Sequence, residues 1–407
     1  MTQSIPELLE YLYSLERAGI KLGLEPTRRL LAGVGNPEKS MPLIQIAGTN
    51  GKGSTAAILN AILQAHGKHV GLYTSPHLDH FNERIRVDGV CISEAEIALW
   101  LRNNRELIET IEATFFEATT VLALSHFAQA QVEHAILETG LGGRLDATTA
   151  AAPGLTALTP ISYDHMEILG GSLAKIAEEK AGIMRAGVRC VSVPQHAEVT
   201  KVLKKRADAV GAQLEFLDVS LNKLSPAGLP GKHQVLNTQL ARRLAEIALA
   251  NNFSPTHANA ALAKVRWPGR YQVVSSNPRT IYDVAHNPHG IGTFLETFST
   301  EDSQAEKILV LALQAGKSSE DILAKLEGYF QTIIMTQSGI RQFIPAAELA
   351  RVYSGSEAQI YIVADPEKAI KLARNKSGES GIIAILGSHY LGPAVAISFK
   401  ISFDKLY

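Results

Sequence analysis

The sequence of 407 residues has few of the features that define several other classes of protein. Its two cysteines, Cys91 and Cys190, are too few for a disulfide framework and lack metal-ligand spacing, which favours a reducing compartment. No segment approaches the roughly 20 apolar residues of a membrane span. The N-terminal stretch carries acidic residues where a secretory signal would have an apolar core. We therefore expect a cytoplasmic protein without a leader or a membrane segment.

The chain also lacks an excess of charge of either sign. It has 39 basic and 40 acidic residues, so no overall field attracts nucleic acid or an anionic membrane surface. The basic run 204–206 is interpreted as a solvated helix face. We see no internal repeat and no low-complexity segment. The composition predicts a protein that binds no nucleic acid, with any anion site confined to local residues. We also expect a monomer that binds small molecules.

The pattern of apolar runs predicts strands that alternate with helices along nearly the whole chain. One alternating series ends near the WPGR segment at 267–270, and a fresh series starts near residue 277. Strands separated by helical segments of this length favour parallel sheets covered by helices on both faces. We therefore expect an α/β protein of two domains, residues 1–276 and 277–407, each with a mostly parallel sheet flanked by helices.

The stretch around which the first series is organised is IQIAGTNGKGST, at 44–55. It predicts a buried strand at 43–47, a loop with three glycines, and a helix from Ser54 to His66. Glycines allow close backbone approach to an anion, a helix N-terminus offers free N–H groups, and Lys52 adds a positive charge. The usual phosphate-loop pattern would need Gly at 46 and Ser or Thr at 53, where this chain has Ile46 and Gly53. A triphosphate cradle and an ordinary glycine-rich turn both remain open at this point.

Polar residues follow three further predicted strands of the same series. Ser75, Glu138 and His165 each come after a strand that can run parallel to the phosphate-loop strand, so their side chains can converge on one metal ion. Oxygen ligands with one imidazole suit Mg²⁺ or Mn²⁺ beside phosphates better than zinc. A lone histidine is more often structural, and the polar segment 75–89 is either a substrate cover or an ordinary exposed loop.

Three other features of the sequence have a structural and a functional interpretation. Arg144 and Asp146, within a glycine-rich loop, can form a structural ion pair or face a ligand. Lys180 can pair with Glu178 or another surface acid. Asp283 and His286 come just after a strand of the second series, near the expected domain junction. They belong either to an ordinary loop between a strand and a helix or to a cleft between the domains that binds ligands.

Several short motifs occur together and in order along the chain. They are GTNGKGS at 48–54, TSPHL at 74–78, NERIRV at 82–87, LETGLGGRLDAT at 137–148, DH at 164–165, EKAGI at 179–183, HQVLN at 233–237, WPGR at 267–270 and DVAHNP at 283–288. In this combination the sequence resembles the folylpolyglutamate synthase and dihydrofolate synthase family, relatives of the Mur peptide ligases. The resemblance covers nearly the whole chain, and it favours the triphosphate cradle over the ordinary turn.

The resemblance implies a fold and an activity. The first domain would be a Mur ligase-type relative of the P-loop NTPases and the second a smaller Rossmann-like domain. The activity would be ATP-dependent: a pterin carboxylate attacks the γ-phosphate, and the amine of L-glutamate then attacks the acyl phosphate. The acceptor would be dihydropteroate, reduced folates, or both, as in the bacterial bifunctional enzymes; a single activity is the alternative.

The resemblance also implies roles for individual residues. The catalytic residues would be Lys52, His165 and Lys180, and Lys180 matches a lysine that the family often carries as a carbamate. Ligands of Mg²⁺ would be Ser75, Glu138 and His165, and the pterin or folate would meet Asp146 and Ala147. ATP would be bound by Thr49, Asn50, Gly51, Lys52, Gly53, Ser54, Asn237, Arg270, Asp283 and His286.

Two departures from the family pattern concern the acceptor side rather than the ATP site. Thr149 stands where the family commonly has Asn, and the segment 314–322 lacks the usual acid before its lysine. Two remoter functions share the phosphate loop: a Mur-type ligase that joins an amino acid to a cell-wall nucleotide, and a nucleotide switch without turnover. The TSPHL and LGGRLDAT motifs argue against the first, and Glu138, His165 and Lys180 together argue against the second.

Overall fold

The structure is a computed structural model that describes residues 4–19, 23–218, 228–339, 342–353, 355 and 357–406. Two β-sheets, each flanked by helices, organise these residues. No helix in the described ranges combines the length and apolar character that crossing a membrane requires. The prediction of an α/β fold with two mostly parallel sheets is confirmed.

The first sheet has eight strands, and the phosphate-loop strand lies inside it. In chain order its strands are β1 Leu43–Ala47, β2 Val70–Tyr73, β3 Ile85–Val87, β4 Val90–Cys91, β5 His134–Glu138, β6 Leu155–Leu158, β7 Arg189–Ser192 and β8 Gln213–Phe216. Their spatial order is β4-β3-β2-β5-β1-β6-β7-β8. Strands β2, β5, β1, β6, β7 and β8 run parallel, whereas β3 and β4 pair antiparallel at one edge. The carboxyl ends of β2, β5, β1 and β6 therefore meet at one edge of the sheet.

Helices cover both faces of this sheet. They are α1 Ile5–Ser14, α2 Glu25–Gly33, α3 Lys52–Ala65, α4 Glu94–Ile111, α5 Phe115–Gln129, α6 Ala147–Ala150, α7 Met166–Leu169, α8 Leu173–Ala181, α9 Ala197–Val210, α10 His233–Leu249 and α11 Pro255–Leu262. Successive residues of β1 face opposite cores, since Leu43 packs with α1, α2, α4 and α5 whereas Ile44 packs with α3, α10 and α11. Burial on both faces explains why β1 is apolar at nearly every position.

The second sheet has six strands. They are β9 Gln272–Ser276, β10 Arg279–Asp283, β11 Lys307–Leu311, β12 Thr332–Met335, β13 Gln359–Ile362 and β14 Ile382–Leu386. Their spatial order is β13-β12-β11-β14-β10-β9, and only β9 is antiparallel to its neighbour. The helices of this part are α12 Pro288–Phe298, α13 Ser319–Leu326, α14 Ala346–Val352, α15 Pro366–Ser377 and α16 Gly392–Phe399. They bury both faces of the sheet, α12 to α14 on one side and α15 with α16 on the other.

The structure differs from the sequence-based expectations at three places. Helix α3 begins at Lys52, two residues before the expected start, and its N-cap is Gly51, at a left-handed φ of 88° that glycine adopts without strain. The segment 75–89 is not wholly a loop, since it contains β3 and a 3-10 turn, Phe81–Arg84. Strand β9 precedes residue 277 yet belongs to the second sheet, so this sheet begins before the expected boundary.

Candidate active site

The glycine loop 48–53 follows β1 and leads directly into helix α3. Its backbone is held from the neighbouring β6 loop, where Thr49 N donates to Pro160 O at 2.9 Å and Thr49 Oγ1 donates to Ser162 O at 3.0 Å. The Nζ of Lys52 donates to Thr49 O at 3.2 Å. The first turn of α3 presents backbone N–H groups and the positive end of the helix dipole on the same side as Lys52. This arrangement can bind phosphate groups.

Two glycines of the loop lie where a side chain would not fit. A Cβ on Gly51 would be 2.5 Å from Asn237 Oδ1, and a Cβ on Gly53 would be 2.9 Å from Trp267 Nε1. Asn237, on α10, is buried and donates from Nδ2 to Gln234 Oε1 at 2.9 Å. The loop and α10 therefore touch, with Asn237 beside Gly51.

Glu138 and Ser75 meet beyond the carboxyl ends of β5 and β2. Glu138 Oε2 accepts a hydrogen bond of 3.2 Å from Ser75 N, and the residue is 5% exposed. Burial raises the pKa of Glu138, an effect that the nearby charges of Lys52 and Arg270 oppose. A cation close to this carboxylate would stabilise its ionised form.

His165 follows β6 and faces the same space. Its backbone lies in the left-handed region with a φ of 50°, which is uncommon for a non-glycine residue. Its side chain is 45% exposed, but the surrounding protein atoms, together with Lys317, His286 and Lys52, lower its pKa to about 4 despite the opposing charge of Asp164. A neutral imidazole is therefore available at neutral pH.

Lys180, on α8, contacts the start of the glycine loop with its side chain. Its Nζ donates to Gly48 O at 2.7 Å, and the residue is 5% exposed. Burial, followed by the charge of Lys52, lowers the pKa of Lys180 to about 7. The alternative of a surface pair with Glu178 is wrong, because this ammonium group is buried against a backbone carbonyl.

The second sheet contributes the opposite wall. Asp283 lies at the end of β10, where its carboxylate accepts from Tyr271 N at 2.7 Å and from Ala285 N at 2.8 Å. Burial raises the pKa of Asp283, and Arg270 opposes this shift. His286 holds its ring by a hydrogen bond of 2.8 Å between Nδ1 and Val284 O.

Two cavities meet at these residues. One, of about 520 Å³, is lined by every residue that the sequence assigned to ATP or metal binding or to catalysis, from Thr49 to His286. The other, of about 580 Å³, is lined by Asp146 and Ala147 and by the aromatic residues Phe115 and Phe116. Residues lining both cavities are Ser75, Pro76, Gly140, Leu141, Gly142, His165, Leu169, His286 and His389. A ligand in one cavity can therefore reach a ligand in the other near Ser75 and His165.

The dihydrofolate synthase/folylpolyglutamate synthase of Bacillus subtilis is 33% identical to this chain, in an alignment that covers 91% of this chain and 94% of that protein. The chain therefore belongs to the folylpolyglutamate synthase/dihydrofolate synthase family. Residues 46–225 match the model of the Mur ligase middle domain, and residues 269–389 match the Mur ligase, glutamate ligase domain.

Solved structures agree with this membership of the folylpolyglutamate synthase/dihydrofolate synthase family. Mycobacterium tuberculosis folylpolyglutamate synthase, complexed with ADP and AMPPCP, superposes on this chain with a TM-score of 0.90 at 29% identity. The superposition covers 98% of this chain and 99% of the other. A bifunctional folylpolyglutamate synthase/dihydrofolate synthase with Mn, AMPPNP and L-glutamate bound has a TM-score of 0.85 at 30% identity, with coverage of 98% and 100%. The likeness extends over both sheets.

In this member of the folylpolyglutamate synthase/dihydrofolate synthase family, the loop 139–149 is held by hydrogen bonds between its own residues. Asp146 does not pair with Arg144: its carboxylate accepts from Gly140 N at 2.9 Å and from Thr148 N at 3.0 Å. Arg144 instead donates from Nη2 to Glu179 Oε1 at 2.8 Å. Of the two interpretations left open for Arg144 and Asp146, the structural ion pair is therefore wrong, and Asp146 shapes the loop that borders the second cavity.

Sequence reasoning missed two polar residues of the site, Asn287 and Lys317. Asn287 donates from Nδ2 to Asp164 Oδ2 at 3.0 Å, and Lys317 Nζ lies 2.7 Å from Asp164 Oδ1. A signal for Asn287 was present in the DVAHNP motif, whose Asn-Pro pair is typical of a helix cap. Nothing local to the 314–322 segment indicated that Lys317 would reach a loop of the first sheet.

Proposed function

We propose that this chain is an ATP-dependent ligase that joins the amine of L-glutamate to the carboxylate of dihydropteroate and of reduced folates. The observation that carries this proposal is the meeting of two cavities, one built on a phosphate-binding loop and one bordered by Phe116 and Ala147. Such a pair of compartments lets a terminal phosphate meet a carboxylate. Family membership and the nucleotide and L-glutamate bound to the relatives support the same reaction.

The phosphates would lie against the loop 49–54 and the first turn of α3. Lys52 and the backbone N–H groups would stabilise the charge that develops while the phosphoryl group transfers. Asn237, beside Gly51, and Arg270 with Asp283 on the opposite wall would hold the rest of the nucleotide, and His286 would border its phosphates. These assignments rest on the family motifs together with the shared cavity.

The residues present fit a magnesium ion. Glu138 is a buried carboxylate beside the backbone of Ser75, and the neutral imidazole of His165 lines the same cavity. No three His, Cys, Asp or Glu side chains within the described ranges form a metal site by themselves. The hydroxyl of Ser75, phosphate oxygens and water would then complete the oxygen-rich shell that Mg²⁺ prefers. The ion, when bound, would neutralise part of the phosphate charge.

Lys180 has the properties that a carbamate requires. Carbamate formation needs a neutral amine, and the pKa of Lys180 is lowered to about 7 by burial. The modified side chain would be an anion next to Lys52, whose charge also disfavours the ammonium form. We propose that Lys180 is carbamylated in the active protein and helps to orient the cationic groups around the phosphates.

The order of bond changes follows from the two compartments. The acceptor carboxylate attacks the γ-phosphorus, the bond to the β-phosphate oxygen breaks, and ADP is formed with an acyl phosphate. The neutral amine of L-glutamate then attacks the acyl carbon, and inorganic phosphate leaves. Residues His165, Ser75 and Gly142 border both cavities, so they surround the place where these bonds change.

The two sheets suggest which part of the chain forms each binding site. Residues 1–276 would form the ATP-binding domain with the pterin site, and residues 277–407 would complete the nucleotide and glutamate sites, although strand β9 packs with the second part. A monomeric state, a cytoplasmic location and the absence of nucleic acid binding stay predictions of the sequence.

The decisive experiment measures phosphate release from Mg²⁺-ATP with L-glutamate, separately with dihydropteroate and with tetrahydrofolate. Turnover with both acceptors supports the bifunctional enzyme, whereas turnover with one identifies a monofunctional dihydrofolate synthase or folylpolyglutamate synthase. A protein that binds ATP but is silent with both acceptors would contradict the proposal and favour a nucleotide switch or a Mur-type acceptor.

A further inference from the structure

A network of four polar side chains joins loops of the first sheet to loops of the second. Asn50 and Asp164 come from the first sheet, and Asn287 and Lys317 come from the second. We call these four residues the Asp164 network. Lys317 Nζ lies 2.7 Å from Asp164 Oδ1, and each of these two side chains is only 9% exposed.

Asn287 connects the Asp164 network to the phosphate loop. Its Nδ2 donates to Asp164 Oδ2 at 3.0 Å and to Asn50 Oδ1 at 3.1 Å, while its Oδ1 accepts from Asn50 Nδ2 at 3.3 Å. The same Oδ1 accepts from Gly290 N at 2.8 Å and caps α12. The position of α12 is therefore coupled to the phosphate loop through side chains that are part of the Asp164 network.

The Asp164 carboxylate also holds the backbone of His165. Asp164 Oδ1, the oxygen that receives Lys317, accepts a hydrogen bond of 2.9 Å from His165 N. His165 lies in the left-handed region, at a φ of 50°. Such a conformation is strained for a non-glycine residue and persists only where neighbouring contacts enforce it. Asp164 thus makes hydrogen bonds both to residues of the second sheet and to the backbone of His165.

We propose that Asp164 is a positioning residue, which couples the approach of the second sheet's loops to the orientation of the His165 side chain at the junction of the two cavities. A carboxylate this deeply buried is stable only while its partners are present. Besides Lys317 and Asn287, His286 of the second sheet also contacts the carboxylate, with its Nε2 3.5 Å from Asp164 Oδ2. When these three residues move away with the second sheet, Asp164 is left uncompensated and turns towards water, so the His165 N–H loses its acceptor. The site around His165 is then assembled only when both sheets are in place.

This inference rests on the proposed function only for its kinetic part, because the coupling itself is a property of the folded chain. A purely structural ion pair would make a different prediction. Loss of such an ion pair would lower the stability of the chain without a specific change at residues 162–169. Its effect on those residues would then equal that of removing another lysine from the second part of the chain.

The test compares Lys317→Met with Lys317→Arg and with Lys371→Met. Arginine can still donate to Asp164, whereas methionine keeps the apolar stem and removes the donor. Lys371 is exposed on α15 of the same sheet and provides the matched control. If the methionine variant does not fold, Lys317→Gln replaces it, because glutamine removes the positive charge and shortens the side chain.

The first measurement is amide hydrogen exchange of the peptide 162–169, with a peptide covering β1 as internal reference. We expect Lys317→Met to raise exchange of 162–169 by about tenfold or more and to leave β1 unchanged, since opening is local. Lys317→Arg and Lys371→Met should match the unmodified chain. Unchanged exchange of 162–169 in Lys317→Met, or an equal rise in β1, would overturn the inference.

The second measurement is the steady-state rate with dihydropteroate and L-glutamate. We expect kcat of Lys317→Met to fall about tenfold to a hundredfold, because a small misplacement of a reacting group costs that much, with a KM for ATP within about threefold. A normal kcat would overturn the coupling. If the unmodified chain shows no turnover at all, the proposed function fails, while hydrogen exchange still decides the inference.

Discussion

The Nζ of Lys180 donates a hydrogen bond of 2.7 Å to the carbonyl oxygen of Gly48, the first glycine of the phosphate loop. These residues lie 132 positions apart in the sequence and are both buried. The lysine therefore supports the backbone of the loop from the protein interior. Burial lowers the pKa of this lysine to about 7, far below its ordinary value of 10.5. The amine therefore exists in both forms near neutral pH.

The first prediction concerns stability against pH. Above pH 7 the folded chain releases the Lys180 proton while the unfolded chain keeps it up to about pH 10.5, so folding becomes more favourable as pH rises through this window. Relative to Lys180→Met, the free energy of unfolding should rise by at most about 1.4 kcal/mol per pH unit. Urea unfolding at pH 7 and pH 9.5 under CO₂-free gas measures this. An exposed lysine variant, Lys205→Met, should show no such trend, and a flat difference for Lys180→Met would contradict the lowered pKa.

The second prediction concerns Lys52. Lys52→Ala should reduce kcat by about a thousandfold with either acceptor, because it removes a positive charge from the developing phosphate charge. The side chain is only partly buried and its one recorded hydrogen bond goes to Thr49 O, so the midpoint of thermal unfolding should change by no more than a few degrees. Phosphate release and calorimetry give the two values. Lys201→Ala, on the exposed face of α9, is the control; near-normal turnover in Lys52→Ala would refute the phosphate role.

The third prediction concerns Gly48. A Cβ at this position would be 1.9 Å from Thr159 Oγ1, at a φ of 148°. Gly67 also has a left-handed φ, 73°, but a Cβ there meets no atom within 4 Å. Gly67→Ala should therefore cost about 1–2 kcal/mol of backbone strain alone, and Gly48→Ala should cost clearly more and impair ATP binding. Unfolding titrations and nucleotide binding compare the two variants; equal costs would contradict the close contact.

The fourth prediction concerns His69, at the end of the first sheet opposite to the candidate site. Both ring nitrogens face acceptors, Nδ1 towards Asp88 Oδ2 and Nε2 towards Ala130 O at 2.9 Å. The hydrogen bond with Asp88 raises the pKa of His69. Its contribution to stability should be complete below about pH 6.5 and disappear as pH rises through the raised pKa.

Comparison of the unmodified chain with His69→Gln at pH 5.5 and pH 8.5 tests this. The stability difference should be larger at pH 5.5, and added salt should reduce it, because the His69 side chain is 39% exposed. The exposed His257→Gln provides a reference at both pH values. A difference that grows with pH would show that His69 is neutral in the folded chain.

Much of the fold could be predicted from local pattern. The strand at 43–47 has the bounds that its apolar run indicated. Ser93 and Glu96, three residues apart at the start of α4, form the capping box that this spacing favours. These features depend on residues close together in the chain, so the sequence carries their signal directly. The hairpin of β3 and β4 was missed because strands this short, within a polar segment rich in His and Arg, have no clear alternation.

The candidate site was predictable only as a set of strand ends. Glu138 and His165 follow parallel strands, and this placed them at one edge of the sheet before any contact was known. The hydrogen-bond partner of each side chain could not be predicted in the same way. Sequence reasoning left open whether Arg144 pairs with Asp146, and the loop folds so that Arg144 instead meets Glu179, 35 residues further along.

The sequence by itself determined the order of strands and helices, the phosphate loop and the family, because each depends on residue types at short spacing. Only the tertiary structure decided that Lys180 is buried under Gly48 and that Lys317 pairs with Asp164, 153 residues away. The physical reason is that burial and partnership arise when distant segments pack together. They alone set the desolvation and the neighbouring charges that change the pKa of Lys180 and hold His165 in its left-handed conformation.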